Sequence, residues 1–406
     1  MVEDNPNQFE LQEMIEFCKK HEGHLYIWDH GTIEKMISKY LYYSQIHING
    51  FIKYEVDECD TQNEPFSIIG FSGGKKIYSR KTGIIIASET KRFNQIISNL
   101  KMIGIKHFFF VSEWNRRTIP KKMLPRKIDD FFLEVNLADH CNLNCQCCDH
   151  FSPIAKPTFL NYEQYVKDIN RIASLTNNRI GLMKLQGGEP LINDHVLEFM
   201  KVTREVFPDS PICLFTDGLL LPKWGKDDNN NIWKIVKEYE IEVRMTQYPI
   251  PINLDRIIAD ATKFDVPVTF DPPAVGKGAR LWIFSEIGAL NYKGVKHSVK
   301  HPFDLKRNVE KFRYISCYQF NESIVLRDGK IYTCPMIPYA HYFNEYFGQN
   351  LMVTDDCYID IYKADSFEQI ADFCTKRTSF CDYCAINKRD SRPWKQSDHC
   401  LEEWTL

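Results

Sequence analysis

The sequence lacks an excess of charge of either sign. Its 406 residues include 51 Lys and Arg against 54 Asp and Glu, which gives a formal net charge of -3. This balance provides no overall electrostatic attraction to nucleic acid or to an anionic membrane. No apolar run approaches the ~20 residues that a membrane-spanning helix requires, and the first ten residues are too polar for a signal peptide. We therefore expect a cytoplasmic protein with no nucleic-acid partner and no membrane span.

Internal repeats and low-complexity tracts are also missing, which excludes solenoids and argues against wholesale disorder. Hydrophobic residues make up 44% of the chain and charged residues 26%, an ordinary globular composition. At roughly 100–200 residues per domain, a chain of this length is expected to form two to four domains.

The first part of the chain alternates between strand and helix patterns. Apolar strand-like runs at 25–28, 83–87 and 107–111 are separated by segments with apolar residues at helical spacing, 33–41 and 93–103. Such alternation predicts a parallel sheet with helices on its faces. We expect this α/β domain to span 1–115 and a basic, proline-containing linker to follow at 116–129.

This alternation resembles a small Rossmann-like domain of the kind found in sugar-modifying and glycan-assembly proteins. Such a domain carries a GxGxxG phosphate-binding turn after its first strand, but here that turn reads DHGTIE at 29–34. The Asp29 carboxylate would repel a pyrophosphate. We therefore expect a degenerate phosphate loop and a docking or substrate-recognition role, with a working nucleotide site as the alternative.

A second series of strand and helix patterns occupies 130–300. Its clearest helix is expected to begin after Asn161, with Gln164 at the third helical position. The strand candidates are 131–137, 181–186, 212–215, 241–246 and 266–270. Five or six such repeats resemble an incomplete (β/α)6 TIM-type barrel, whose chemistry lies at the carboxyl ends of the strands. After about residue 300 the alternation stops, and 301–406 is expected to form a cysteine-rich domain.

The chain contains 14 cysteines, and a cytosolic protein does not rely on disulfides. Clustered cysteines in such a protein indicate metal or redox chemistry. Four of them lie within 141–148 and seven lie after residue 316, which suggests two metal sites. The three scattered cysteines are interpreted as buried thiols: Cys18, Cys59 and Cys213.

The first group follows directly on the first predicted barrel strand. Cys141, Cys145 and Cys148 have the spacing CX3CX2C. Three thiolates on one short loop can hold three corners of a cubane iron–sulfur cluster and leave the fourth iron without a protein ligand. An open metal position is typical of a catalytic site. The alternative is a zinc knuckle, for which His140 and His150 are the nearest additional ligands.

The loop CNLNCQCC (141–148), together with GGEP (187–190) after the second barrel strand, resembles the radical SAM superfamily. The resemblance implies that Cys141, Cys145 and Cys148 bind a [4Fe-4S] cluster, whose open iron chelates S-adenosylmethionine. One-electron reduction then releases a 5'-deoxyadenosyl radical that abstracts a substrate hydrogen. Cys147 stands where the family commonly has an aromatic residue that packs on the adenine, and Cys147 is also an alternative third ligand.

The resemblance also implies residues that contact S-adenosylmethionine. The GGEP turn would hold its amino group, and polar residues ending the third and fourth strands would lie near the rest of the molecule. The implied contacts are Gly187, Gly188, Glu189, Pro190, Thr216 and Thr246. Asp149 and His150 follow the cysteine loop and are the candidate catalytic acid/base pair, with loop capping as the alternative.

The cysteine-rich tail resembles the SPASM/twitch extension of radical SAM enzymes, in its single-cluster form. The resemblance rests on Cys317 and Cys334 in the pattern CX11GX4C, and on Cys381 and Cys384 in a CX2C pair. These four cysteines would bind a second, auxiliary [4Fe-4S] cluster. A four-cysteine zinc site is the structural alternative. The leftover cysteines, Cys357, Cys374 and Cys400, are interpreted as buried thiols.

These patterns together predict a radical SAM oxidoreductase or epimerase. We expect dehydrogenation or epimerisation of a sugar, free or linked to a nucleotide or glycan, with ferredoxin or flavodoxin as electron donor. An epimerase needs a thiol that returns a hydrogen, and Cys147, Cys213 or a leftover tail cysteine is a candidate. The alternatives are a peptide maturase forming thioether or carbon–carbon cross-links and a zinc-stabilised scaffold.

Overall fold

A computed structural model describes residues 6–53, 67–71, 79–88, 92–226, 230–284 and 297–406. The chain forms two compact units. The first contains Met1–Leu124, Glu310–Cys317 and Thr375–Arg377, and the second contains Pro125–Val309, Tyr318–Cys374 and Thr378–Leu406. Among the described helices, none combines the length and the apolar character that crossing a membrane requires.

The first unit is built on a fully parallel sheet in the order β3-β2-β1-β4-β5. Its elements are α1 (Pro6–Lys20), β1 (Leu25–Trp28), α2 (Thr32–Tyr43), β2 (Gly50–Lys53), β3 (Ser67–Gly70), β4 (Gly83–Ile86), α3 (Phe93–Met102), β5 (His107–Phe110) and α4 (Glu113–Met123). Strands β1 and β4 are buried along their whole length, as continuous apolar strands of a parallel sheet require. This arrangement confirms the expected α/β class.

The expected linker is partly helical. Helix α4 covers residues 116–123 of the predicted 116–129 segment, and the Ser112 side chain caps it by accepting a hydrogen bond from the Asn115 amide at 3.2 Å. Ile119 and Met123 are buried, four residues apart on one face. Four of the six basic residues that suggested a linker therefore belong to an amphipathic helix of the first unit, whereas Arg126 and Lys127 follow it in the second unit. That unit also includes Glu310–Cys317, which the sequence analysis assigned to the tail.

The second unit contains six parallel strands in the order β10-β11-β9-β8-β7-β6. The strands are β6 (Phe132–Ala138), β7 (Leu182–Gly187), β8 (Ile212–Thr216), β9 (Glu242–Thr246), β10 (Val268–Thr269) and β11 (Arg280–Phe284). The helices between them are α5 (Tyr162–Thr176), α6 (Val196–Val206), α7 (Leu221–Trp224), α8 (Ile232–Glu238) and α9 (Leu254–Lys263). This is the expected partial (β/α)6 barrel, with β11 as a strand that the sequence analysis did not identify.

Helix α5 shows how closely local sequence determines the barrel. The Asn161 side chain accepts a hydrogen bond from the Gln164 amide at 2.8 Å, as the capping pattern predicted. Tyr165, Ile169 and Ile172 form its buried face. Because each parallel strand enters its helix from the carboxyl end, the loops after β6, β7, β8 and β9 all lie at one end of the barrel.

The tail continues the barrel sheet rather than forming a separate layer. Strand β13 pairs in parallel with β6, and β14 and β15 follow in antiparallel order. The remaining elements are β12 (His297–Lys300), β13 (Ile324–Arg327), β14 (Lys330–Tyr332), α10 (Ala340–Phe347), β15 (Tyr358–Asp360), α11 (Phe367–Phe373) and β16 (Asp390–Pro393). Arg327 of β13 binds buried Asp139, which follows β6, with both guanidinium NH groups at 2.7 and 3.1 Å. Barrel and tail therefore share one sheet and a buried ion pair.

Candidate active site

A cavity of about 380 Å³ lies at the carboxyl ends of the barrel strands. Its walls are the cysteine loop 141–148, the turns after β7 and β8, residues Thr246 and Tyr248 after β9, and parts of β12. Nearly all the site residues predicted in the barrel line this cavity. The exception is Pro190, which is buried at the start of the turn after Glu189.

The cysteine loop is held by a segment nearly 250 residues further along the chain, which we call the closing segment (residues 394–404). Within it, the Lys395 carbonyl accepts a hydrogen bond from Gln146 at 3.0 Å, and the Ser397 amide donates to Asn144 at 2.8 Å. Cys145 bridges Gln396 in antiparallel fashion. The loop backbone therefore pairs with the closing segment as two antiparallel strands do, and these bonds do not involve a ligand.

Two buried side chains of the closing segment complete this attachment. Glu403 accepts hydrogen bonds from the Cys147 amide at 3.4 Å and from the Asp398 amide and Ser397 hydroxyl of its own segment. The Trp404 indole NH donates to the Cys148 carbonyl at 3.0 Å. Polar groups of the loop that lie away from the cavity are thus satisfied by the protein itself.

The sulfur atoms of Cys141 and Cys145 accept hydrogen bonds from different sources. The Leu143 amide, within the loop, donates to Cys141 at 3.4 Å. Cys145 accepts one bond from the Trp394 indole NH at 3.1 Å and another from the Tyr248 hydroxyl. Burial, followed by the neighbouring Cys145 sulfur, raises the pKa of Tyr248 well above its usual range. The phenol therefore stays a hydrogen-bond donor at neutral pH.

Cys148 and Cys147 differ in a way that bears on the third ligand. Burial opposes ionisation of Cys148, but hydrogen bonds from the His150 side chain and from the His150 and Ser152 backbone lower its pKa below the ordinary value. Burial raises the pKa of Cys147 to about 12. Since the thiolate is the metal-binding form, this contrast favours Cys148 over Cys147 as a ligand.

Glu189 joins the turns after β7 and β8. It is buried, its Oε1 accepts hydrogen bonds from the Leu191 amide at 2.9 Å and the Thr216 hydroxyl at 2.8 Å, and its Oε2 accepts one from the Asp217 amide at 2.9 Å. Burial, followed by the charge of Asp217, raises the pKa of Glu189 well above its usual range. Glu189 and Thr216 therefore hold the two turns together at the cavity wall, and their contact with S-adenosylmethionine stays a prediction.

Asp217 is the acidic group that sequence reasoning missed. Its Oδ1 accepts a hydrogen bond from the Leu219 amide at 2.8 Å. Its Oδ2 is buried and accepts no hydrogen bond from an amide, hydroxyl or ammonium group of the described residues, but the Asp217 side chain bonds the neighbouring carboxyl of Glu189, whose raised pKa favours its protonated form. Burial raises the pKa of Asp217 to about 6. Buried carboxylate oxygens are costly without a donor, so this atom is suited to receive an ammonium group. The signal lies in the turn TDG (216–218), which resembles the Thr-Asn-Gly turn of the radical SAM superfamily with Asp in place of Asn.

The glycines of the GGEP turn are required by close backbone approach. A Cβ at Gly188 would lie 2.1 Å from the His140 carbonyl oxygen, and one at Gly187 would lie 2.3 Å from that of Ala138. The Gly188 amide donates to the Ala138 carbonyl at 2.8 Å. The turn after β7 is thereby held directly against the start of the cysteine loop.

Asp149 and His150 make contacts that differ from those of a free acid/base pair. Asp149 binds His301 at 2.9 Å and accepts hydrogen bonds from Gln319 at 2.5 Å and Tyr318 at 3.2 Å. Burial opposes ionisation of Asp149, but His301 lowers its pKa below the ordinary value. His150 bonds the Cys148 sulfur. Asp149 is thus held by side chains distant in sequence, and both the acid/base role and the loop-capping alternative stay predictions.

The floor of the cavity is polar. Lys184 of β7 pairs with buried Glu134 of β6 at 2.8 Å, and the Gln186 amide donates to the same carboxylate at 3.0 Å. Nearby, Ser152 and Ser298 each present a buried hydroxyl with no hydrogen-bond partner in the described part of the chain. Polar groups thus interrupt a lining that is otherwise largely apolar.

The tail cysteines are divided between the two units. Cys334, Cys381 and Cys384 belong to the second unit, whereas Cys317 belongs to a segment of the first. Cys381 and Cys384 lie on one turn, where the Cys384 amide donates to the Cys381 carbonyl at 3.2 Å. The Cys334 thiol approaches the Gln319 side-chain oxygen at 3.6 Å. Gln319 thereby links the tail to Asp149.

Not all the other cysteine predictions are confirmed. The four buried ones are Cys18, Cys213, Cys357 and Cys374, whereas Cys400 is half-buried and Cys59 lies outside the described residues. Within the described ranges, no three His, Cys, Asp or Glu side chains lie close enough together to hold a single metal ion. The two four-iron ligand sets therefore stay predictions.

Comparison with known proteins finds partial sequence relatives. No family model matches the chain. A stretch of 109 residues, 26% of the chain, is 29% identical to a GTP 3',8-cyclase of Clostridium perfringens (strain SM101 / Type A) and covers 32% of that protein. A stretch of 104 residues, 25% of the chain, is 34% identical to a GTP 3',8-cyclase of Aliarcobacter butzleri (strain RM4018) and covers 31% of it. The chain thus spans about a third of the length of these relatives.

Similar solved structures include that of BtrN in complex with AdoMet and 2-DOIA, with a TM-score of 0.37 and 14% identity over 64% of this chain and 94% of that one. Another is anSMEcpe with bound AdoMet, with a TM-score of 0.33 and 14% identity over 62% of this chain and 81% of that one. The resemblance of the cysteine loop and the GGEP turn to the radical SAM superfamily stands beside these partial likenesses.

Proposed function

We propose that this chain is an enzyme that binds a [4Fe-4S] cluster through Cys141, Cys145 and Cys148, with S-adenosylmethionine beside it, and that it acts on a small hydroxyl-rich substrate. When bound and reduced, this pair supplies a 5'-deoxyadenosyl radical. The fit of the protein to both groups rests on the hydrogen bonds that reach these three sulfurs and on the buried Oδ2 of Asp217, which accepts no hydrogen bond from an amide, hydroxyl or ammonium group of the described residues.

The turns after β7 and β8 would hold S-adenosylmethionine. Asp217 would accept a hydrogen bond from its ammonium group, because a charged donor offsets the cost of the buried carboxylate. Glu189 would act indirectly, since its three hydrogen bonds fix the Asp217 backbone and the Thr216 hydroxyl. Thr246, buried at the cavity wall, would contact the remainder of the molecule.

The polar groups around the cavity carry the substrate proposal. Besides Asp217, five residues that line the cavity have a buried polar atom without a hydrogen-bond partner in the described chain: Gln146 Oε1, His150 Nε2, Ser152 Oγ, Ser298 Oγ and His301 Nε2. Such groups are expected to be satisfied by a ligand or ordered water. A sugar, free or carried on a nucleotide or glycan, offers donors and acceptors at this density. The cavity of about 380 Å³ lies in the size range of small-molecule sites and would be shared by the cluster, S-adenosylmethionine and the substrate.

The reaction also requires a reductant for the cluster and a group that takes an electron from the substrate radical or returns a hydrogen to it. We propose a ferredoxin or flavodoxin as the electron donor. An auxiliary [4Fe-4S] cluster held by Cys317, Cys334, Cys381 and Cys384 would accept an electron from the substrate radical in a dehydrogenase. In an epimerase, a thiol would instead return a hydrogen to the radical.

The test is anaerobic reconstitution of the full chain, followed by iron, sulfide and zinc analysis and assay of 5'-deoxyadenosine release. We expect about eight irons per chain, as two [4Fe-4S] clusters require, and faster release with sugars or nucleotide sugars than with cysteine-rich peptides. In deuterium oxide, an epimerised product acquires solvent deuterium and a dehydrogenated one does not. Zinc without iron would overturn the proposal, and stimulation by peptides alone would replace it with peptide maturation.

A further inference from the structure

The three cysteine sulfurs of the loop are hydrogen-bonded unequally. Cys141 and Cys148 take their donors from residues 143 and 150–152, within or directly beside the loop. Cys145 takes both of its donors from distant parts of the chain. The Trp394 indole NH lies 3.1 Å from its sulfur, and the Tyr248 hydroxyl is the second donor.

Both donors are fixed by packing rather than by the cysteine itself. Tyr248 follows β9 by two residues, and Trp394 follows β16, which pairs in antiparallel register with β12. The two rings contact each other, with centroids 5.6 Å apart and planes inclined by 56°. Directly after Trp394, the closing segment pairs with the loop backbone. The Tyr248 ring and the backbone pairing of the closing segment therefore both fix the indole NH at the Cys145 sulfur.

Hydrogen bonds to ligating sulfurs are a principal determinant of iron–sulfur reduction potentials. Each donor withdraws negative charge from the thiolate and stabilises the reduced cluster, which carries one more negative charge than the oxidised one. We propose that Trp394 and Tyr248 are positioning residues that act through Cys145 to raise the reduction potential of the cluster, and so set the strength of the reductant that the enzyme requires. This inference rests on the proposed function.

The test is an EPR-monitored redox titration of the reconstituted full chain without S-adenosylmethionine, comparing wild type with Trp394→Phe and Tyr248→Phe. Both substitutions keep an aromatic ring; Tyr248→Phe removes only the hydroxyl, whereas Trp394→Phe removes the indole NH together with one ring of the indole. We expect each to lower the equilibrium constant for cluster reduction about tenfold, which is about 59 mV for one electron. The double variant should shift further in the same direction, with the iron content unchanged.

Trp404→Phe is the matched control. It removes an indole NH that donates to the Cys148 carbonyl, 3.0 Å away, so it loosens the same loop without removing a hydrogen bond to sulfur. Its potential should stay close to that of wild type. Unchanged potentials in both Trp394→Phe and Tyr248→Phe, with full iron content, would overturn the inference. So would an equal shift in Trp404→Phe. Wild-type protein that takes up no iron would instead overturn the proposed function.

Discussion

The turns that follow the parallel strands are hydrogen-bonded differently in the two units of this protein. In the first unit, the turn between β1 and α2 is closed by its own side chains: Glu34 accepts hydrogen bonds from the Gly31 and Glu34 amides, and Asp29 accepts one from the His30 amide. In the second unit, the turn after β8 leaves Asp217 Oδ2 buried with no amide, hydroxyl or ammonium donor in the described chain. The turn after β1 is thus satisfied by the side chains of its own residues, whereas the turn after β8 keeps a buried carboxylate oxygen that a ligand could satisfy.

This difference has a direct consequence for nucleotide binding by the first unit. A helix N-terminus attracts phosphate because its amides are unsatisfied. At α2, the carboxylate of Glu34 already occupies two of those amides, so a phosphate would have to displace a buried negative charge. The degenerate turn that the sequence predicts at 29–34 is therefore supported by a specific contact, and a ligand site is expected only in the second unit.

The largest effect is expected from substitutions in the cysteine loop of the second unit. Cys148→Ala should remove about four irons per chain, one [4Fe-4S] cluster, because it deletes the thiol whose surroundings favour the thiolate. It should also abolish release of 5'-deoxyadenosine. Cys147→Ala is an equal truncation at the neighbouring residue and should keep its iron. Iron analysis of the two reconstituted variants decides which cysteine is the third ligand. Loss of iron in Cys147→Ala, with iron retained in Cys148→Ala, would make Cys147 the ligand.

A smaller effect is expected from adding one methyl group to each turn. Gly188→Ala should lower the free energy of unfolding by about 3 kcal/mol, the upper part of the usual range for overpacking, since the new Cβ would lie 2.1 Å from a backbone oxygen. Gly31→Ala should cost about 1 kcal/mol, because its Cβ would lie 2.8 Å from the Glu34 carboxylate, a side-chain group that can shift at the expense of its hydrogen bonds to the turn. Urea denaturation of both variants makes the comparison, and equal losses would contradict it.

The smallest effect is a pH dependence confined to the first unit. Burial, opposed by backbone hydrogen bonds, raises the pKa of Glu34 above its ordinary value of 4.5. The folded state therefore binds more protons than the unfolded state, and stability falls as pH rises from the ordinary value through the raised one. Glu34→Gln should reduce this slope, which for one proton is at most about 1.4 kcal/mol per pH unit.

Urea denaturation at a series of pH values between 4 and 8 measures the Glu34 slope. Glu13→Gln, at an exposed position of α1 in the same unit, is the control and should leave the slope unchanged. If Glu34→Gln unfolds with the same pH dependence as wild type, the carboxylate does not close the turn as described.

Local sequence patterns were sufficient to predict the barrel and the position of its cysteine loop after the first barrel strand. The Asn161 cap, the apolar face of α5 and the strand ahead of Cys141 all depend on neighbours within a few residues. The same reasoning failed at 116–123, where basic residues concealed the buried pair Ile119 and Met123. It also missed short strands such as β3 and β11, whose four or five residues carry little periodicity.

Contacts between distant residues could not be predicted from spacing. Asp149 and His301 are 152 residues apart, and Arg327 and Asp139 are 188 apart. Glu189 was singled out from its motif, but its hydrogen bonds to Thr216 and Asp217 at the end of the next strand appeared only in the structure. Sequence motifs proposed the site residues, whereas tertiary packing determined which of their atoms already have protein partners.

The closing segment also constrains the order of events during biosynthesis. The partners of Cys145, Cys147 and Cys148 at Trp394, Glu403 and Trp404 lie 249 to 256 residues away. At about 5–20 residues per second on the ribosome, the loop waits on the order of ten seconds or more before these partners exist. During that interval its thiols are exposed to oxidation and to competing metals. Cells that make this protein are therefore expected to insert iron late, after residue 404 has left the ribosome.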